Sequence, residues 1–137
     1  MIEYLKLENV ADERGEEPAK VARTLLRIGC DLYLRFGSSR ESRAGVSFFP
    51  DHPAEQMEHN IGPGNHPLTK DSQEAVIKRL GRGDTSTSGL LVWIYSKLDS
   101  SITVPYQIEL MKKDDSVCVV VHPDDVTKLP PPSTYQT

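Results

Sequence analysis

The sequence predicts an α+β fold in which a mostly antiparallel sheet of five or six strands packs against two principal helices. The segment at 16–29 carries apolar residues at helical spacing, and the segment at 71–80 begins with Asp71 and Glu74 in a helix-capping arrangement and ends before Gly81. The segments at 30–36 and 102–110 instead alternate apolar with polar residues, which is typical of strands with one buried face. Short polar connections such as "DSS" and "KDD" join the strands of the second half, as expected for antiparallel neighbours.

The length of 137 residues suits one domain with a single core, and we place that domain at residues 1–128. After Pro123 the periodicity of apolar residues is lost. Three consecutive prolines at 130–132 favour an extended conformation without internal hydrogen bonds. We therefore expect a flexible, Pro-rich C-terminal tail over residues 129–137.

Charge and apolar content argue against several classes of partner. The net charge is −4 and the basic residues are scattered, so we do not expect a nucleic-acid partner. No apolar run approaches the roughly eighteen residues needed to cross a bilayer, and "MIEYLKLENV" lacks the layout of a secretory signal. These observations predict a cytoplasmic protein without a membrane partner. Cys30 and Cys118 lie in predicted strands, where we expect buried and reduced thiols.

The first elements follow from local sequence signals. "IEYLKLENV" predicts a first strand, and "ADERGEEP" predicts a polar connection. In "EEPAKVARTLLRIG", Pro18 suits the first turn of a helix and Gly29 is placed to end it. Glu16 and Lys20 are four residues apart and would form a favourable pair.

Period-two alternation begins directly after this helix. Cys30, Leu32 and Leu34 would share the buried face of a strand that continues to Phe36. "GSSRESR" has turn composition, and "AGVSFFP" predicts a returning strand, so residues 30–50 would form a β-hairpin.

The second half predicts one helix and three strands. A long irregular loop at 50–70 leads to the helix at 71–80. "SGLLVWIYSKL", "ITVPYQIELMKK" and "SVCVVVHP" would then form an antiparallel meander. Pro105 cannot donate to a strand ladder, so it implies a bulge or an edge position. The strand at 89–98 is apolar on both faces. We expect Trp93 to pack in the core, or the strand to form a subunit interface if one face is uncovered.

The segment "DHPAEQMEHNIGPGNHP" predicts the main candidate metal site. Glu55 and His59 would share one helical face, the "GPGNH" bend would return His66, and His122 or Asp51 would complete the site. A divalent ion held in this way would support hydrolysis. The segment contains no His-Glu-x-x-His and no Cys-x-x-Cys pattern, so an ordinary surface connection is the alternative. The predicted metal ligands are Glu55, His59, His66 and His122.

A second candidate site surrounds the predicted hairpin turn. "RFGSSRESR" gathers guanidinium groups, hydroxyls and a glycine, which could bind an anionic group, although a solvated turn has the same composition. Polar residues of the loop at 50–70 would add to this site. The predicted ligand-binding residues are Arg35, Ser38, Arg40, Arg43, His52, Asn60 and Asn65.

Three functional hypotheses follow. The leading one is a small cytosolic binding protein that recognises a partner protein or small ligand through the loop at 50–70 and the exposed sheet face. Such a protein needs no catalytic residues. The alternative is a metal-dependent hydrolase that uses the Glu/His segment at 51–66 and a divalent metal as its cofactor. The third is a structural subunit of a homo- or hetero-oligomer.

Overall fold

The computed structural model describes residues 3–36, 47–48, 64–81, 90–95, 101, 103–108 and 117–131. Its helices are α1 (Leu7–Arg14), α2 (Pro18–Arg27), α3 (Lys70–Gly81) and α4 (Pro123–Val126). Its strands are β1 (Leu5–Lys6), β2 (Tyr33–Phe36), β3 (Ser47–Phe48), β4 (Gly64–Pro67), β5 (Leu90–Tyr95), β6 (Thr103–Ile108) and β7 (Val117–Val121). Helices and antiparallel strands are thus combined in one chain, which confirms the α+β class.

The described strands form two antiparallel sheets. One has four strands in the order β1-β7-β2-β4, and the other has three in the order β3-β6-β5. An isolated antiparallel bridge between Leu68 and Ile94 links β4 to β5. The described strands therefore divide between two linked sheets, whereas the sequence predicted a single sheet of five or six strands.

The predicted first strand is a strand only at Leu5 and Lys6, and its last four residues begin a helix. Only Leu5 and Lys6 pair with β7, and α1 follows at once with Leu7, Val10 and Ala11 buried on one face. Gly15 ends the helix in the left-handed conformation, with φ of 66°, and its N–H donates to backbone carbonyls of the last turn. The strand prediction was wrong here because Leu7, Val10 and Ala11 have the i, i+3, i+4 spacing of a helix, which needs tertiary packing to be stable over eight residues.

The second helix confirms its predicted start and stop signals. Pro18 occupies the first turn of α2, where a missing N–H costs nothing. Gly29 has φ of 89°, and the Cys30 N–H donates to the Leu25 carbonyl over 2.9 Å. These contacts close the helix with a left-handed residue, as glycine readily allows. The predicted Glu16–Lys20 pair forms with an N–O distance of 3.5 Å.

The predicted hairpin does not form. The alternation in β2 is as expected, with Cys30, Leu32 and Leu34 buried. However, β2 pairs with β7 on one side and β4 on the other, so neither edge is left for β3. The described part of β3 pairs instead with β6 in the other sheet.

The predicted meander is only partly correct. β5 and β6 pair in continuous register from Leu90–Ile108 to Tyr95–Thr103, but β7 joins the four-stranded sheet. Pro105 lies opposite Trp93 without a bulge in this register. On its other side the described part of β3 pairs with Tyr106 and Gln107 and stops before Pro105. The edge position predicted for Pro105 depends on Phe49, which lies outside the described part.

The core lies between the inner face of the sheets and the helices α1, α2 and α3. Its buried apolar side chains come from all three helices and from β2, β5 and β7. Gln73 of α3 is fully buried among them. Its side-chain oxygen accepts from the Leu32 N–H over 3.2 Å, and its amide nitrogen donates to the Leu68 carbonyl over 2.8 Å. The amide nitrogen also lies 3.1 Å from the Asp31 carboxylate, so this residue fixes the start of α3 to β2 and to the segment after β4.

The last part of the predicted loop and the first part of the predicted tail have defined structure. Gly64–Pro67 form β4, and α3 begins at Lys70, so the irregular loop at 50–70 ends earlier than expected. Residues 50–63 lie outside the described part. Leu129, the first residue of the predicted tail, is 9% exposed and packs in the core. The Pro130 carbonyl accepts a hydrogen bond from Arg14, and residues 132–137 lie outside the described part.

Candidate functional site

Strand alternation divides the four-stranded sheet into an inner and an outer face. Leu34 is paired with His66 and with Val119, and all three are buried on the inner face against the helices. The next residues point the other way. Tyr33 is paired with Pro67, and these two side chains are only partly buried on the outer face.

The outer face continues onto the three-stranded sheet. The Leu68–Ile94 bridge places Pro67 beside Tyr95, and the Thr69 N–H donates to the Trp93 carbonyl over 3.0 Å. Trp93 and Tyr95 are two positions apart in β5, so both point outward, while Ile94 between them points into the core. Trp93 is 40% exposed. We call the set Tyr33, Pro67, Trp93 and Tyr95 the outer aromatic face.

A hydrogen-bonded pair borders the outer aromatic face. Arg35 lies opposite Asn65 in the β2–β4 ladder, and its Nε–H donates to the Asn65 side-chain oxygen over 3.3 Å. An Nη2–H of Arg35 also donates to the Tyr4 carbonyl, across the intervening β7. Both acceptors are neutral, so these hydrogen bonds orient the guanidinium group without cancelling its charge.

An aromatic cluster lies on the outer face where β1 and β7 meet. The Tyr4 ring contacts the rings of Tyr33 and His122 edge-on, each with a centroid separation of 5.0 Å. Burial is the main cause that raises the pKa of Tyr33, and together with the neighbouring Tyr4, Asp31 and Asp125 it brings the value to about 12. Tyr33 therefore remains a neutral phenol at physiological pH, able to donate a hydrogen bond to a partner.

The two cysteines are free and buried, as expected from the sequence. Burial raises the pKa of the Cys30 thiol, and the adjacent Asp125 carboxylate, which accepts a hydrogen bond from it, raises it further. Burial also raises the pKa of the Cys118 thiol, against the opposing effect of Arg35 and Lys6. Since the thiolate is the nucleophilic form, neither cysteine is activated for covalent chemistry.

The structure brings together only some of the predicted site residues. Arg35 and Asn65 are in contact on the outer face. His66 instead lies on the inner face, fully buried. His122 lies on the outer face, where its Nδ1 accepts from the Asp124 N–H at the start of α4 over 3.0 Å. The pair His66 and His122 is therefore not brought together in one site.

The remaining predicted residues lie outside the described part of the chain. They are Ser38, Arg40, Arg43, His52, Glu55, His59 and Asn60. Within the described ranges no group of three or more His, Cys, Asp or Glu side chains could hold a metal ion. The metal site built on Glu55 and His59 thus stays a prediction.

The sequence pattern pointed to the outer aromatic face only indirectly. Trp93 was expected in the core, yet it is one of the exposed large apolar residues. The signal that could have identified it is the double-sided apolar strand β5, because only one of its faces can point to the core. Tyr4 and Pro67 gave no sequence signal, since their positions depend on strand pairing.

The chain matches none of the family models, curated proteins or solved structures with which it was compared. Its function is therefore argued from geometry alone. Among the described helices, none is long and apolar enough to cross a membrane.

Proposed function

We propose that this chain is a protein-binding module that engages a partner protein through the outer aromatic face. The exposed Trp93 carries the proposal, together with Tyr95 on the same strand face, Pro67 beside Tyr95, and Arg35 at the border of the face. Tryptophan, tyrosine and arginine are the residues most enriched at the energetic centres of protein interfaces. A large aromatic side chain that is partly exposed on a rigid strand is available for such a contact without conformational cost.

The shape and charge of the face favour a different protein as the partner. Small molecules bind in concave sites, whereas this surface follows the outer side of a sheet. A symmetric contact between two copies would bring their Arg35 guanidinium groups into the same interface, which like-charge repulsion disfavours. The fitting partner therefore presents an apolar side chain to Trp93 and an acidic group to Arg35.

Site-specific photo-cross-linking in the producing cells tests this proposal. A photoreactive amino acid at position 95 should give one discrete adduct, and Trp93→Ala in the same chain should remove it. The matched control places the photoreactive group at Ile28, which is 42% exposed at the end of α2 and is not part of the outer aromatic face. We expect no adduct there.

Two results would contradict the proposal. One is an adduct that persists with Trp93→Ala or is equally strong from position 28. The other is an adduct at twice the chain mass of 15.3 kDa, which would assign the face to self-association.

A further inference from the structure

A groove with a volume of about 630 Å³ lies between α2 and α3, on the side of the molecule opposite to the outer aromatic face. Leu26, Ala75 and Ile77 line it with apolar surface. Ile77 is almost fully buried, and the other two are partly exposed. An apolar floor that is open to solvent is available to a partner.

The two helices that form the groove are antiparallel. A Cβ atom on Gly81, the last residue of α3, would lie 4.0 Å from the Ala19 side chain near the start of α2. At the other end, Lys70 begins α3 and its Nζ lies 3.0 Å from the carboxylate of Asp31, which follows α2. The groove therefore runs along both helices, with the start of one beside the end of the other.

The two ends of the groove differ in net charge, although Arg27 partly offsets the two carboxylates at the acidic end. Arg23 and Lys78 lie towards the end of α3, and Asp71 and Glu74 lie at its start, opposite Arg27. Asp71 and Lys78 are seven residues apart, which is about 10 Å along a helix. Within the described residues none of these five side chains makes an ion pair or a side-chain hydrogen bond. Their charges are thus available to a ligand at both ends of the groove.

We infer that this groove binds an amphipathic helix of a partner protein, with an acidic residue at the Arg23–Lys78 end and a basic residue about two turns away at the Asp71–Glu74 end. The apolar stripe of that helix would lie on Leu26, Ala75 and Ile77. The side-chain ridges of such a helix can pack into the groove between two antiparallel helices, as in other helix-in-groove complexes. Only a ligand with charges of both signs about 10 Å apart complements the two ends.

Two synthetic helical peptides with the same leucine stripe test the inference on the full-length chain. The mixed peptide carries Glu and, seven residues later, Lys, and the basic peptide carries Lys at both positions. We expect the mixed peptide to shift the backbone amide NMR signals of Leu26 and Ala75. It should also bind about tenfold more tightly than the basic peptide, because its Glu can pair with Arg23 and Lys78, and two exposed ion pairs together supply about that factor.

The variant Arg23→Glu/Lys78→Glu should reverse this preference, because the groove then carries acidic groups at both ends. Both positions are partly or fully exposed on the helices, so the fold should persist, and dispersed NMR spectra would verify it. Lys128→Glu, a control that reverses one charge outside the groove, should leave the preference unchanged.

Equal affinity for both peptides, a preference that survives the double substitution, or signal shifts outside the groove would overturn the inference. If neither peptide binds but dodecanoate shifts the Leu26 and Ala75 signals, the groove is a small-ligand site and the helix assignment is wrong. The inference does not depend on the proposed function, because it concerns the opposite side of the molecule.

Discussion

The buried side chain of Gln73 provides a sharp test of how the fold is held together. Gln73→Met keeps the length of the side chain but removes its hydrogen bonds to the Leu32 N–H and the Leu68 carbonyl. A buried backbone group without its partner costs about 1–3 kcal/mol, so the two together cost about 2–6 kcal/mol. Burial of the more apolar methionine offsets about 1 kcal/mol of this. We therefore expect a net loss of about 3 kcal/mol, a large part of the 5–15 kcal/mol typical of a domain.

Urea denaturation would measure this loss by following the fluorescence of the single tryptophan together with circular dichroism. The midpoint should fall by about 1 M or more. Glu74→Met is the matched control, because Glu74 is the exposed neighbour in the same helix, and its effect should stay within about 0.5 kcal/mol. A loss of less than about 1 kcal/mol for Gln73→Met would refute the reasoning.

A second substitution separates hydrogen bonding from packing. Gln73→Glu preserves shape but places carboxylate oxygens against the Leu68 carbonyl and the Asp31 carboxylate. We expect it to destabilise the protein more than methionine does at pH 7. The difference should shrink near pH 4–5, where a protonated carboxyl group can again donate a hydrogen bond.

The remaining predictions concern a phenol and a helix end. The pKa of Tyr33 is raised to about 12, above the value of about 10 for an unfolded chain, so stability should fall as the pH rises from about 10 to about 12. Tyr33→Phe should remove part of that fall in urea titrations at alkaline pH, and an identical decline in both proteins would contradict the assignment. Gly15→Ala should cost about 1 kcal/mol, because φ is 66° and nothing lies within 4 Å of the added Cβ to compensate. Gly15→Asn should cost less in the same thermal melts, and equal melting temperatures for all three proteins would rule out a left-handed helix end.

Features set by neighbouring residues could be predicted from the sequence. Pro18 and Gly29 marked α2 because one lacks an N–H and the other accepts a left-handed conformation. The alternation of Leu32 and Leu34 identified the buried face of β2. Local signals could not identify strand partners. β2 lies between β4 and β7, and nothing near residue 33 encodes a partner more than eighty residues away.

The candidate site was predictable only where it coincided with local composition. Arg35 and Asn65 were identified as polar groups suited to a ligand, but their contact depends on the register of β2 against β4. Trp93 was expected in the core because β5 is apolar on both sides. Its exposure depends on which layers cover the sheet, and that is a property of the whole fold.

The first turn of α3 is attached directly to the strand that carries Trp93. The Ser72 side-chain oxygen accepts from the Trp93 N–H over 2.6 Å, and the Thr69 N–H donates to the Trp93 carbonyl over 3.0 Å. If β5 shifts sideways, the start of α3 must therefore move with it, or both hydrogen bonds to the Trp93 backbone must break. Because α3 also forms one wall of the groove, the two sides of this small protein are mechanically linked through the backbone of a single residue, Trp93.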